Sequence, residues 1–127
     1  MIAVLDTCAL LWLTLESDSL SPKAHKAIAG ADRLVVSAIS VWEIGIKNSR
    51  KKLDLGTDYM DYVGRLSRIS DVEILPVGHM LWERSSMLDW EHRDPADRVI
   101  VALATELGAT LISDDAEMKE YFKRVVS

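Results

Sequence analysis

Ile2-Ala3-Val4-Leu5-Asp6 reads as a short buried strand that leaves the core on a carboxylate. A counterpart lies near the other end, where Ala109-Thr110-Leu111-Ile112-Ser113 runs into Asp114-Asp115. In an open parallel sheet, ligands collect beyond the carboxyl ends of the strands. Two strands that end in Asp therefore predict a shared acidic pocket. Glu43 and the segment Arg93-Asp94-Pro95-Ala96-Asp97-Arg98 can add further carboxylates. Such acids repel one another unless a cation holds them. The pattern points to a hard divalent metal, and from there to phosphate chemistry.

Working outward, strands are predicted at 2–6, 33–37, 72–76 and 110–113, with a weaker fifth at 123–126. Helical patterns fill the intervals. Residues 8–15 are rich in Leu. Ser21-Pro22 supplies an N-cap and a first-position proline for a helix that Gly30 closes. Further helices are expected over 38–49, 57–69, 79–88, 95–107 and 115–122. Asp94-Pro95 opens the fifth of these six segments after 8–15, and Gly108 ends it. Strands alternating with helices predict an α/β fold with a mainly parallel sheet. Two helices fall in the crossover from the second strand to the third, and two in the crossover from the third to the fourth.

The length of 127 residues fits one domain spanning 1–127, and 49% hydrophobic residues can build a sizeable core. No apolar run reaches the roughly 18 residues that suggest a membrane helix. No basic region precedes the first apolar run, so a signal peptide is not expected. The single Cys8 cannot form an intramolecular disulfide, and it suits a reducing cytoplasm. The formal net charge is −5. A nucleic-acid binder acting by charge alone would be basic. Nucleic acid would here have to be met through a metal site and local basic patches.

Each acid also has a plainer role. Asp6 can be the N-cap of the helix that follows it, and Thr7 adds a neighbouring hydroxyl. Glu43 can close a capping box with Ser40. If the helix instead starts at Ser37, Glu43 lies inside it on an apolar stretch, where an unpaired acid is costly. Asp94 fits an N-cap, which leaves Asp97 at the head of the apolar stretch Val99-Ile100-Val101-Ala102-Leu103-Ala104. Of Asp114 and Asp115, one can cap the last helix while the other faces the pocket. Their joint placement at strand exits and helix starts favours a common site.

Other chemistries find less support. Cys8 has no partner and is expected to be a small buried residue. His25, His79 and His92 lack zinc-ligand spacing. There is no G-x-S-x-G elbow, no P-loop and no G-x-G-x-x-G. Trp12, Trp42, Trp82 and Trp90 are expected in the core. Lys47, Arg50, Lys51 and Lys52 form the one dense basic cluster. Lys47 can pair with Glu43 one turn away, or steer phosphate beside the acids.

The ordered set Val4-Leu5-Asp6-Thr7, Ser37-Ala38-Ile39-Ser40-Val41-Trp42-Glu43-Ile44, His92-Arg93-Asp94-Pro95-Ala96-Asp97-Arg98 and Leu111-Ile112-Ser113-Asp114-Asp115 resembles the PIN domain, and within it the VapC-type toxins of prokaryotic toxin–antitoxin pairs. The resemblance spans essentially the whole chain. It implies a three-layer α/β/α sandwich with about five strands and a Mg²⁺- or Mn²⁺-dependent ribonuclease. By family position, Asp6, Glu43, Asp97 and Asp115 are the metal acids and catalytic residues. Asp94, Asp114, Thr7 and Ser113 are supporting or alternative ligands. Ser113 stands where Thr is common. Ala96 stands where an aromatic is often found. Lys47 and Arg50 are the candidates for RNA backbone contact.

The implied protein is cytoplasmic, has no membrane partner, is silenced by a cognate antitoxin and forms a homodimer. Two other readings fit the same residues: a catalytically silent PIN-like module that binds RNA or protein, and a Mg²⁺-dependent phosphohydrolase of a small phosphate ester.

Overall fold

The structure, a computed structural model, describes residues 1–68 and 71–127. Five strands, β1 (Ile2–Leu5), β2 (Arg33–Ser37), β3 (Val72–Leu75), β4 (Thr110–Ile112) and β5 (Val125–Val126), form one sheet in the order β3-β2-β1-β4-β5. Every pairing in it is parallel. The helices are α1 (Thr7–Leu15), α2 (Pro22–Ala29), α3 (Ala38–Ser49), α4 (Tyr59–Arg68), α5 (His79–Ser86), α6 (Pro95–Leu107) and α7 (Ala116–Tyr121).

Alternation along each strand divides the interior into two cores. Ala3 and Leu5 of β1, Leu34 and Val36 of β2, and Ile112 of β4 face a layer that includes Leu10 of α1, Ala24 of α2, Ile44 of α3 and Leu66 of α4. Val4, Val35 and Leu111 face the opposite layer, with Leu81 of α5, Val99–Ala104 of α6 and Met118 of α7. This is the expected α/β/α sandwich. The prediction for α6 holds fully, because Val99 through Ala104 are all buried.

The chain builds β1, β2 and β3 toward one edge, then returns past β1 to build β4 and β5 toward the other. The direction of winding reverses between β1 and β4, and at such a switch point the loops part and leave a crevice at the strand ends. Asp6 and Asp114-Asp115 leave the sheet on either side of it. The backbone pairing runs to the edge of this crevice, where the Asp6 amide donates to the Ile112 carbonyl at 3.1 Å.

Several boundaries shift by a residue or two for local reasons. β1 ends at Leu5 because Asp6 becomes an N-cap. β3 stops at Leu75, before Pro76, which has no amide to offer a ladder. α4 starts at Tyr59 rather than 57, with the Asp58 carboxylate accepting from the Asp61 amide at 2.8 Å. Its expected last residue, Ile69, lies outside the described residues. α5 ends at Ser86, α7 spans only Ala116–Tyr121, and a short 3₁₀ turn at Ser17–Ser19 was not anticipated.

The tryptophans depart from expectation. Trp12 and Trp90 only partly pack on the two cores, and Trp42 and Trp82 are 58% and 43% exposed. Trp42 and Trp82 occupy helix faces turned away from the sheet, where with Ile39, Val77 and Pro95 they line a shallow apolar depression.

Candidate active site

One cavity of about 300 Å³ sits over the switch point, lined by Asp6, Thr7, Cys8, Trp12, Glu43, Lys47, Asp94, Asp97, Asp114 and Asp115. All four acids predicted as metal ligands therefore meet in one place. They arrive on separate elements: the end of β1, the middle of α3, the first turn of α6 and the cap of α7.

Asp6 caps α1, as one of its two expected roles requires, and it also lines the cavity. Its Oδ1 caps α1 by accepting from the Ala9 amide at 2.8 Å, and its Oδ2 accepts from the Ser113 hydroxyl at 2.5 Å. The residue is only 5% exposed. Burial pushes its carboxyl above the usual range. The bonds from Ser113 and Ala9 oppose this, while the charges of Asp115 and Glu43 add to it.

Glu43 is settled by where its helix begins. The hydroxyl of Ser37 accepts from the Ile39 amide at 3.1 Å and caps α3, so the capping box with Ser40 does not form. Ser40 is instead buried and accepts from the Thr7 hydroxyl at 2.9 Å, tying α1 to α3. Glu43 then lies in the second turn of α3, facing the cavity, with Lys47 Nζ at 3.9 Å. Arg50 lies beyond, at the C-cap, and is not among the residues lining the cavity.

Asp94 caps α6 as predicted, accepting from the Asp97 amide at 3.2 Å. Asp97 is 22% exposed on its side chain, and its Oδ2 lies 2.6 Å from His92 Nε2. Burial pushes its carboxyl up to about 6. The His92 hydrogen bond opposes this, and the charges of Asp94 and Asp115 reinforce it. His92 is shifted upward too, chiefly by its bond to Asp97. Asp115 caps α7 through the Met118 amide at 2.9 Å while lining the cavity. Asp114 lines it as well but is more exposed, with Lys119 at 3.5 Å.

Cys8 is exposed at the rim rather than buried, because Thr7, Ala9 and Leu10 take the inward positions of α1. Desolvation in the cavity, then the Asp6 charge, raises its thiol pKa, so it is a poor nucleophile at neutral pH.

Two residues at the site carried no assigned role in the sequence. His92 is one. Arg98 is the other: its guanidinium donates to the carbonyls of Ser85 at 2.9 Å, Leu88 at 2.9 Å, Trp90 at 2.5 Å and His92 at 2.9 Å. It pins the loop between α5 and α6 to the first turn of α6. The available signal was a lone histidine and an arginine flanking two helix-start acids, but no periodicity connects them.

The donor set suits a hard cation. It consists of carboxylate oxygens and hydroxyls. Burial chiefly, and neighbouring acids in smaller part, raise the Asp6 and Asp97 carboxyls, and a bound divalent ion would favour their charged forms. Among the described residues, no three His, Cys, Asp or Glu side chains already stand in a metal-gripping group. Asp97 is held by His92, and Glu43 lies beside Lys47. Among the described residues, no helix is long and apolar enough to cross a membrane.

A family model described as PIN domain matches residues 3–124. The protein named Ribonuclease VapC22, from Mycobacterium tuberculosis, is 29% identical over 119 residues, covering 93% of this chain and 90% of that protein. Among solved structures, a toxin-antitoxin complex from Klebsiella pneumoniae superposes with a TM-score of 0.66 at 22% identity, covering 98% of this chain and 96% of that one. VapBC2 from Rickettsia felis, solved bound to a DNA fragment from its promoter, superposes with a TM-score of 0.67 at 18% identity, covering 100% and 98%.

Proposed function

We propose that this chain, which belongs to the PIN-domain family, is a divalent-metal-dependent endoribonuclease and the toxin of a type II toxin–antitoxin pair. The observation that carries the reading is the convergence of Asp6, Glu43, Asp97 and Asp115 on one cavity at the sheet's switch point. The likeness to a ribonuclease over nearly the full length of both chains supports it.

Asp6, Glu43, Asp97 and Asp115 would hold Mg²⁺ or Mn²⁺. Asp94, Asp114, Thr7 and Ser113 would stand behind them. When bound, the cation supplies Lewis acidity toward a phosphodiester and the water that attacks it. The chain's own contribution is orientation and charge. Ser113 and the α1 amide fix both oxygens of Asp6. Lys47 at the cavity wall can meet a phosphate oxygen of the substrate. Burial, and after it the Asp6 charge, push the Cys8 thiol up, which makes it a poor nucleophile and favours water in that role.

Two toxin–antitoxin assemblies share the fold, and a cognate antitoxin is accordingly proposed as partner, together with a second copy of this chain. The test is induction of the chain alone beside Asp6→Asn and Asp97→Asn at matched expression, with RNA cleavage mapped in the same cells. Growth arrest with discrete RNA cuts, both lost in the variants, is expected. Arrest without cuts, or equal toxicity in all three, would overturn the nuclease reading. In vitro, phosphate release from a small ester with RNA left intact would do the same.

A further inference from the structure

His92 is closely constrained beside the cavity. Its Nε2 lies 2.6 Å from Asp97 Oδ2, and its Nδ1 meets a carboxylate oxygen of Glu117 on α7. Its ring stacks on Trp90 at 4.5 Å between centroids, and Trp90 stacks in turn on Tyr121 at 4.7 Å. Its carbonyl is held by Arg98. Both nitrogens, one ring face and the backbone are thus engaged, and the side chain is 15% exposed. The contacts reach α6 through Asp97 and α7 through Glu117 and Tyr121, the two elements that present Asp97 and Asp115.

We propose that His92 is a positioning residue for the cation site: it occupies Oδ2 of Asp97, anchors that oxygen through Glu117 to α7, and leaves Oδ1 to the cation. Among the described residues, Oδ1 accepts no hydrogen bond. Without the imidazole, Asp97 can turn about both of its side-chain torsions, and ordering it on binding costs entropy that His92 has already removed. Outer partners of carboxylate ligands act in this way and typically set affinity by about ten- to a hundredfold. The inference rests on reading Asp97 as a cation ligand.

The test is a calorimetric Mn²⁺ titration of the full chain without RNA, comparing the parent with His92→Ala, His92→Gln and Glu117→Gln, with circular dichroism to show that each is folded. His92→Ala is expected to weaken Mn²⁺ binding about tenfold or more at unchanged stoichiometry. His92→Gln, whose amide can still donate to Asp97, should regain most of the loss. Glu117→Gln should fall between the two. Glu117 is exposed and lines no part of the cavity, so this variant decides the matter if His92→Ala fails to fold.

Unchanged affinity in the His92 and Glu117 variants would overturn the proposal. So would tighter binding in His92→Ala, which would make His92 a competitor for Asp97. Absence of Mn²⁺ binding by the parent would overturn it together with the cation reading. Mn²⁺ binding by a parent that leaves RNA intact would sink the nuclease reading alone, and the His92 comparison would still decide.

Discussion

The hydroxyl of Ser113 donates to Oδ2 of Asp6 across 2.5 Å, joining the ends of β4 and β1 beneath the acidic cavity. The same oxygen of Ser113 accepts from the Asp115 amide at 3.1 Å. One side chain thus orients one candidate ligand directly and the loop that carries another. It also offsets part of the desolvation that raises the Asp6 carboxyl.

Ser113→Ala should therefore raise the Asp6 carboxyl further and leave a buried oxygen without its partner. The expected cost is about 1–3 kcal/mol of stability, with at least a tenfold loss in cleavage rate. Ser113→Thr keeps the hydroxyl and should retain most of both. Urea unfolding and single-turnover cleavage measure the two effects.

Asp97 sets a pH dependence whose sign is opposite to that of an ion-paired surface acid. Its carboxyl is raised from 3.8 to about 6, so the folded state holds the proton more tightly than the unfolded chain. Stability is then fully present below the unfolded value and is lost as pH rises through the folded one. Asp6 and His92 are also raised and act in the same direction. In chelator, the melting temperature should fall as pH rises from about 5 to 8. Asp97→Asn, in chelator at pH 8, should be more stable than the parent by about 1 kcal/mol, because the lost His92 contact offsets part of the relief. A flat or rising profile in differential scanning calorimetry would contradict this. Added Mg²⁺ should stabilise the parent and have little effect on the variant.

Arg98 spends its guanidinium on carbonyls of the loop between α5 and α6. Arg98→Lys keeps the charge but not the planar fork that reaches several acceptors together. Both Arg98→Lys and Arg98→Ala should destabilise the fold, the latter by about 3 kcal/mol. Equilibrium denaturation read from near-ultraviolet circular dichroism would detect the loss. Wild-type stability in Arg98→Ala would show that the clamp is dispensable.

Lys47 and Arg50 separate cleanly once the cavity is known. Lys47 lines it, whereas Arg50 caps α3 beyond it. Lys47→Ala should raise KM for RNA several-fold and reduce the salt slope of binding by about 1. Arg50→Ala should change both much less. Filter binding at a series of salt concentrations distinguishes the two.

Much of the fold was legible because its signals are local. The apolar runs at Ile2–Leu5 and its counterparts, Pro22 and Pro95 at helix starts, and Gly30 and Gly108 at helix ends each reflect free energies decided within a few residues. The acids were legible as a set because strand exits and helix starts are where such a sheet gathers ligands. The choice between Ser37 and Ser40 as the cap of α3 was not legible. Both are competent caps, and the competition ends only when Thr7, from another helix, takes up Ser40. Cys8, Trp42 and Trp82 were misplaced for a related reason: apolar character does not say which face of a helix meets the sheet.

The sequence by itself determined the order of elements, the parallel α/β class and the acids that gather at one cavity. Tertiary structure alone decided how those acids are held. Ser113 reaches Asp6 across 107 positions, and His92 reaches Glu117 across 25. Arg98 reaches back 13 residues to Ser85 at the end of α5, and 10 to Leu88 in the loop it pins. No periodicity or cap links such partners, because their contact energy exists only after the sheet has brought β1 beside β4 and the helices have packed on either side.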